Sequence, residues 1–189
     1  MNKIELINLF KTNPIILGIK SKKDFIEIEN NPSKIVFTLF GDVSNIIDII
    51  NILKLMDKHV FISVDMVSGL SSQNSVIDFL INNTEVDGII SSKPQLLSYA
   101  RKKGLFTIHR FFIIDSSSWR SIEHQINISK SDIINITPGW PKIVNWTVDK
   151  YDAPVISSGL VCDRATVIEN LQAGAIAICT TNHDVWNLH

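Results

Sequence analysis

The chain has 189 residues, 45% hydrophobic and 20% charged, enough for one domain with a sizeable apolar core. Its 18 Lys and Arg against 19 Asp and Glu leave a net charge of -1, which excludes a global field attracting nucleic acid; such a role needs a local basic surface. No apolar run approaches the ~20 residues that cross a bilayer, so no membrane partner is expected.

In chain order, residues 1–10 mix Lys3 and Glu5 with apolar side chains, unlike a secretory signal, and a cytoplasmic location is expected. A strand-sized apolar run follows at 14–20, then a brief helix. Further runs lie at 35–40, 60–64, 88–91, 106–111, 133–137, 154–157 and 175–180, at a spacing of roughly 20 to 25 residues. Between them lie helical patterns. Residues 45–54 place Ile46, Ile49, Ile50 and Leu53 at i, i+3, i+4 and i+7; 75–82 carry Val76, Phe79 and Leu80. Residues 93–103 carry Leu96, Leu97 and Ala100; 119–129 carry Ile122 and Ile126; 163–173 carry Val167, Ile168 and Leu171. Each supplies one apolar stripe for a sheet. Pro141 suits the first turn of a helix, Asp163 a helix cap, and Gly104 and Gly174 helix ends. Barely a turn of sequence, 184–188, follows the last run.

Eight strands alternating with helices predict an α/β fold, a compact TIM-like (β/α) barrel with its last helix short or missing. An open doubly wound sheet is the competing fold. No compositional break divides the chain, so residues 1–189 form a single predicted domain.

In such a barrel, the working residues stand at the carboxyl ends of the strands. There the sequence places Lys20, Asp42, Asp65, Ser91, Arg110, Asp115, Asn135, Ser157 and Thr180. Two readings stay open for this rim: a binding site, or polar residues where strands meet water. The last third is sharper. Loops after strands seven and eight commonly bind phosphate. Gly159 would let backbone N–H groups approach an anion, and Ser158, Thr180 and Thr181 would add hydroxyls. The bland alternative makes Gly159 a turn residue and Thr180 an edge residue. Gly139, within 137–141, would face the same pocket, and Trp140 would wall it or pack over the barrel top. Arg110 is the cation expected to face a ligand. Phe111 and Phe112 beside it would shape the pocket, meet a partner or pack as a core satellite.

Lys20, Asp42 and Asp65 are the groups an enzyme would use as acid, base or Schiff-base amine, but their spacing does not demand it. His59, His109, His124, His183 and His189 make no metal-binding pattern, and no nucleotide-binding fingerprint occurs. His59 is expected at the amino end of its strand and His109 packed inside one. Cys162 and Cys179 read as free thiols. Arg101, Lys102 and Lys103 form the one basic run, either a crude RNA surface or a solvated helix end where cations are favoured.

Several stretches together resemble the glycerol-3-phosphate-responsive antiterminators of glycerol uptake and utilisation operons. They are residues 39–42, 64–65 with 69–72, 87–91, 110–112 with 115–116, and 138–139 with 141–142. The resemblance continues through 158–160 and 174–175 to 180–182 and Trp186. It implies a non-enzymatic bacterial regulator that needs no cofactor, takes glycerol 3-phosphate as effector and binds the leader mRNA of a glycerol-metabolism operon. The effector's phosphate would lie on Ser158, Gly159, Thr180, Thr181 and Asn182. Asp42, Asp65 and Arg110 would hold glycerol hydroxyls or order a loop. A homodimer is expected only because cyclic dimers are common.

The family usually has two glycines where this chain has Ser158 and Gly159, and serines near 179–181. A serine at 158 would crowd a phosphate or demand a backbone angle that side chains avoid. Three readings therefore stay open: a working antiterminator, a diverged phosphometabolite-binding regulator, and a barrel enzyme acting on a small sugar or triose phosphate.

Overall fold

A computed structural model describes residues 2–70 and 73–188. Ser71 and Ser72 of one family-like stretch, and His189, lie outside the described residues. The elements are α1 (Lys3–Thr12), β1 (Ile15–Ile19), α2 (Phe25–Glu29), β2 (Ile35–Thr38), α3 (Ile46–Leu55) and β3 (His59–Ser63). Then come α4 (Asn74–Asn83), β4 (Gly88–Ser91), α5 (Pro94–Lys102), β5 (Phe106–Phe112), α6 (Ser116–Ser129) and β6 (Ile133–Thr137). The chain continues through α7 (Pro141–Lys150), β7 (Val155–Ser158), α8 (Arg164–Gln172), β8 (Ala177–Thr180) and α9 (His183–Trp186).

The eight strands are all parallel and close into a barrel in sequence order, with β1 paired to both β2 and β8. Closure rules out the open sheet. Alternate strand residues point inward, so the barrel has its own interior core, including Ile16, Phe37, Phe61, Ile90, Ile108, Ile133 and Ile156. The outward set, including Val36, Ile62, Ile89 and Ile134, packs against helix stripes such as Ile46, Ile49, Ile50 and Leu53 of α3. The last helix is a single turn, as expected. It is pinned because buried Trp186 donates its Nε1–H to the Thr180 carbonyl at 2.8 Å.

Helix α1 precedes the first strand, where the sequence pattern predicts no helix. Asn2 and Glu5 form a reciprocal capping box, with Glu5 N to Asn2 Oδ1 at 3.0 Å and Asn2 N to Glu5 Oε2 at 2.9 Å. The helix plugs the amino end of the barrel. The Phe10 ring lies 5.3 Å from Phe61, 6.1 Å from Phe106 and 6.3 Å from Phe37. Closing that end leaves the carboxyl ends of the strands as the open mouth.

Candidate functional site

A cavity of about 450 Å³ opens at the mouth. Its floor is apolar, from Phe37, Leu39 and Cys179, and Met66, Phe112 and Leu160 stand around it. Its polar wall comes from Arg110, Asn135, Thr137, Ser158, Thr180, Thr181 and Asn182. Strands β5 to β8 thus bring together most of the sequence-predicted ligand residues.

Arg110 is the electrostatic centre. Its inward position on β5 leaves it only 7% exposed, and no carboxylate forms an ion pair with it among the described residues. Its one hydrogen bond there runs from Nη1 to the Met66 sulfur at 3.4 Å. Burial pushes its pKa below the usual guanidinium range, while the Cys179 thiol and the Asp65 carboxylate work the other way. Cys179 itself is pushed up to about 12 by burial, so its thiol stays protonated. A buried guanidinium stays charged and needs an anion.

Ser158 ends β7 in ordinary extended backbone; the left-handed residues are the next two, Gly159 at φ 73° and Leu160 at φ 57°. Ser158 therefore makes no demand for a glycine's backbone angle. Its hydroxyl donates to Asn135 Oδ1 at 2.8 Å and lies 2.6 Å from Thr137 Oγ1, forming part of the cavity wall.

The loop after β7 is held from both sides. Gly139 N donates to the Gly159 carbonyl at 2.7 Å, and Asn170 Nδ2 donates to the Gly139 carbonyl at 3.1 Å. Thr180 Oγ1 donates to the Val161 carbonyl at 2.8 Å, and Asn182 Nδ2 to the Cys162 carbonyl at 2.7 Å. With its carbonyls so occupied, the loop keeps its amides available. Gly159, Leu160 and Val161 donate no backbone N–H to a backbone acceptor among the described residues. Gly139 is buried behind the loop, where a Cβ would meet Ser157 Oγ at 2.6 Å. It supports the pocket without lining it. Asn170, fully buried on α8, had no sequence signal beyond its type.

Besides Gly139, three predicted ligand residues stand outside the cavity wall. Lys20 is exposed beyond β1. Asp42 accepts from Ser44 N at 2.8 Å, from the Ser44 hydroxyl and from Asn45 Nδ2 at 2.6 Å, bracing the loop into α3. Asp65 accepts from Ser91 Oγ at 2.8 Å, Ser92 N at 2.6 Å and Ser92 Oγ at 3.0 Å. Both carboxylates order loops. Asp115 caps α6 through Ser118 N at 2.7 Å, as Asp163 caps α8 through Thr166 N at 2.8 Å. Phe111 is buried against His109, whereas Phe112 is 54% exposed at the rim. Trp140 is exposed and outside the cavity wall.

The basic run lies at the far end of α5, on the face opposite the mouth. Lys103 Nζ pairs with Asp78 at 2.9 Å and Arg101 Nε approaches Asp132 at 3.8 Å, while Lys102 is exposed. Among the described residues no group of three or more His, Cys, Asp or Glu is placed to hold a metal ion, and no helix is long and apolar enough to cross a membrane.

Residues 15–186 match the family described as glycerol-3-phosphate responsive antiterminator. The chain is 39% identical over 184 residues to the uncharacterized protein YgcP of Escherichia coli (strain K12), covering 97% of this chain and 96% of that protein. Two solved structures are similar at 30% identity. The glycerol uptake operon antiterminator regulatory protein from Listeria monocytogenes superposes with a TM-score of 0.90 over 93% of this chain and 95% of that one. A glycerol uptake operon antiterminator-related protein from Thermotoga maritima superposes with a TM-score of 0.83 over 93% and 99%.

Proposed function

As the chain belongs to the glycerol-3-phosphate responsive antiterminator family, we propose that it is an effector-controlled RNA-binding regulator. Glycerol 3-phosphate enters the barrel mouth and governs attachment to the leader mRNA of a glycerol-metabolism operon. The observation that carries this reading is Arg110, a 7% exposed cation lining the cavity and in no ion pair among the described residues.

A phosphate dianion supplies the missing countercharge, and the Gly159–Val161 amides supply donors at the same wall. Asn135 and Thr137 are within the cavity to meet the ester's hydroxyls. An acid–base enzyme fits poorly. Asp42 and Asp65 are committed to loop hydrogen bonds, Lys20 is off the cavity wall, and the Cys179 thiol is kept neutral.

The test is the binding of a transcribed leader from a glycerol-metabolism operon, with and without glycerol 3-phosphate. The effector is expected to raise RNA affinity, and added salt to lower it. RNA affinity that ignores the effector would overturn the switch.

A further inference from the structure

The exposed cations of this chain that form no ion pair among the described residues are concentrated on one face. Toward the amino ends of the strands, Lys3, Lys34, Lys54, Arg101, Lys103 and Lys150 sit in ion pairs, while Lys11, Lys102 and Lys130 are exposed there. Around the mouth, Lys20, Lys22, Lys23, Arg120, Lys142 and Arg164 are exposed, and none forms an ion pair among the described residues. These six come from the segment after β1 and the openings of α6, α7 and α8. In this barrel all of those segments lie on the mouth face.

Their placement runs against helix electrostatics. Lys142 and Arg164 occupy the first turns of α7 and α8, where the helix end is already partly positive and a cation is disfavoured. Apart from the Lys142 ammonium over the Trp146 ring at 5.2 Å, folding gains little from basic residues there, whereas binding a polyanion gains from them. Of the carboxylates of the same face, Asp42, Asp65, Asp115 and Asp163 are turned into hydrogen bonds with their own or a neighbouring loop, and Asp48 and Asp184 are exposed. Between the cations stand large apolar side chains left in water: Phe112 at 54%, Trp140 at 56% and Leu160 at 74% exposure. Separated cations for phosphates, interleaved with aromatic faces for unstacked bases, are the chemistry of single-stranded RNA recognition.

Resting on the RNA-binding reading above, we propose that the RNA lies across the mouth face itself, directly over the effector cavity. Phe112 and Leu160 belong both to that face and to the cavity wall. The effector then fills the floor beneath the RNA and shares side chains with it. The Arg101–Lys103 run, on the opposite face and largely ion-paired, is no part of the surface.

The test uses the full chain, a fluorescein-labelled transcribed leader from a glycerol-metabolism operon, and fluorescence anisotropy across a salt series with and without glycerol 3-phosphate. One variant carries Lys22→Glu, Lys142→Glu and Arg164→Glu. A second carries Lys11→Glu, Lys102→Glu and Lys130→Glu, which makes the same charge change on exposed lysines of the opposite face. Circular dichroism verifies that both fold. The mouth variant is expected to bind at least tenfold more weakly, with a salt slope shallower by about 2, or about 0.7 per lost phosphate contact. The opposite-face variant is expected to bind within twofold of the native chain. Ultraviolet cross-links to the native chain are expected in the peptides bearing Phe112 and Trp140. Native-like RNA binding by the mouth variant, or cross-links confined to the opposite face, overturns the surface and leaves the regulator reading standing. No RNA binding by the native chain in either effector state overturns that reading and the surface with it. Tighter binding to phosphatidylglycerol vesicles than to RNA overturns RNA as the partner.

Discussion

Arg110 and Asn135 are register partners on adjacent strands β5 and β6, and both line the mouth cavity. Replacing Asn135 by Asp places a carboxylate beside the guanidinium and supplies from within the protein the countercharge that the effector would bring. Asn135→Asp is expected to lower affinity for glycerol 3-phosphate by about 100-fold, or about 2.8 kcal/mol. The ligand-free domain is expected to be no less stable, because a buried cation gains a partner. Calorimetry and thermal unfolding measure the two quantities. Unchanged affinity would remove Arg110 from the anion site.

Gly159 has φ 73°, and a Cβ there would stand 3.1 Å from Thr137 Cγ2. Gly159→Asp is expected to cost about 1–2 kcal/mol of stability from the left-handed backbone. It is also expected to abolish anion binding, since its carboxylate would repel a phosphate. The domain still folds, because Leu160 already tolerates the same region at φ 57°. A folded variant with native affinity would place the anion on another loop.

Asp65 separates loop ordering from ligand holding. Asp65→Asn keeps the shape but weakens the charge-assisted bonds to Ser91 and Ser92. The expected loss is about 1–2 kcal/mol in unfolding free energy, with effector affinity lowered less than tenfold because Asp65 is not on the cavity wall. A loss of affinity without a loss of stability would make Asp65 a ligand contact.

The barrel was legible because its signal is periodic. Ile35, Phe37 and Leu39 alternate with Val36 and Thr38, and the Ile46–Leu53 stripe repeats at helical spacing. Helix α1 escaped because its apolar stripe, Leu6 and Phe10, is short and its cap, Asn2 with Glu5, sits at the edge of the sequence window. In the site, the strand-end rule found Arg110, Asn135 and Thr180, because strand ends follow from strand positions. It could not tell which polar rim residues face inward. Asp42 and Asp65 turn to neighbouring hydroxyls and amides, a choice made by loop geometry that no spacing rule records. Asn170 and Met66 reach the site through tertiary packing alone.

His109 makes stability depend on pH. It is fully buried, with Nδ1 2.9 Å from Ser129 Oγ and with no hydrogen bond at Nε2 among the described residues. Burial pushes its pKa down from 6.5 to about 4, against the opposing pull of the Ser92 backbone and Asp65. Between those values the unfolded chain binds the extra proton. The contribution is therefore intact above about pH 6.5 and is lost as pH falls toward 4, by about 3 kcal/mol in total at about 1.4 kcal/mol per pH unit. His109→Gln is expected to flatten the pH dependence of unfolding free energy by that amount. An unchanged slope in the variant would assign the acid sensitivity to other groups.

Buried Arg110 and the loop after β7 form the proposed phosphate-ester site. The most direct measurement is a calorimetric titration of native chain and Arg110→Met with glycerol 3-phosphate, glycerol and inorganic phosphate. Saturable binding of the ester to the native chain, clearly tighter than either control and weakened at least 100-fold by Arg110→Met, is the expected result. Absence of ester binding, or equal binding by the variant, would contradict it.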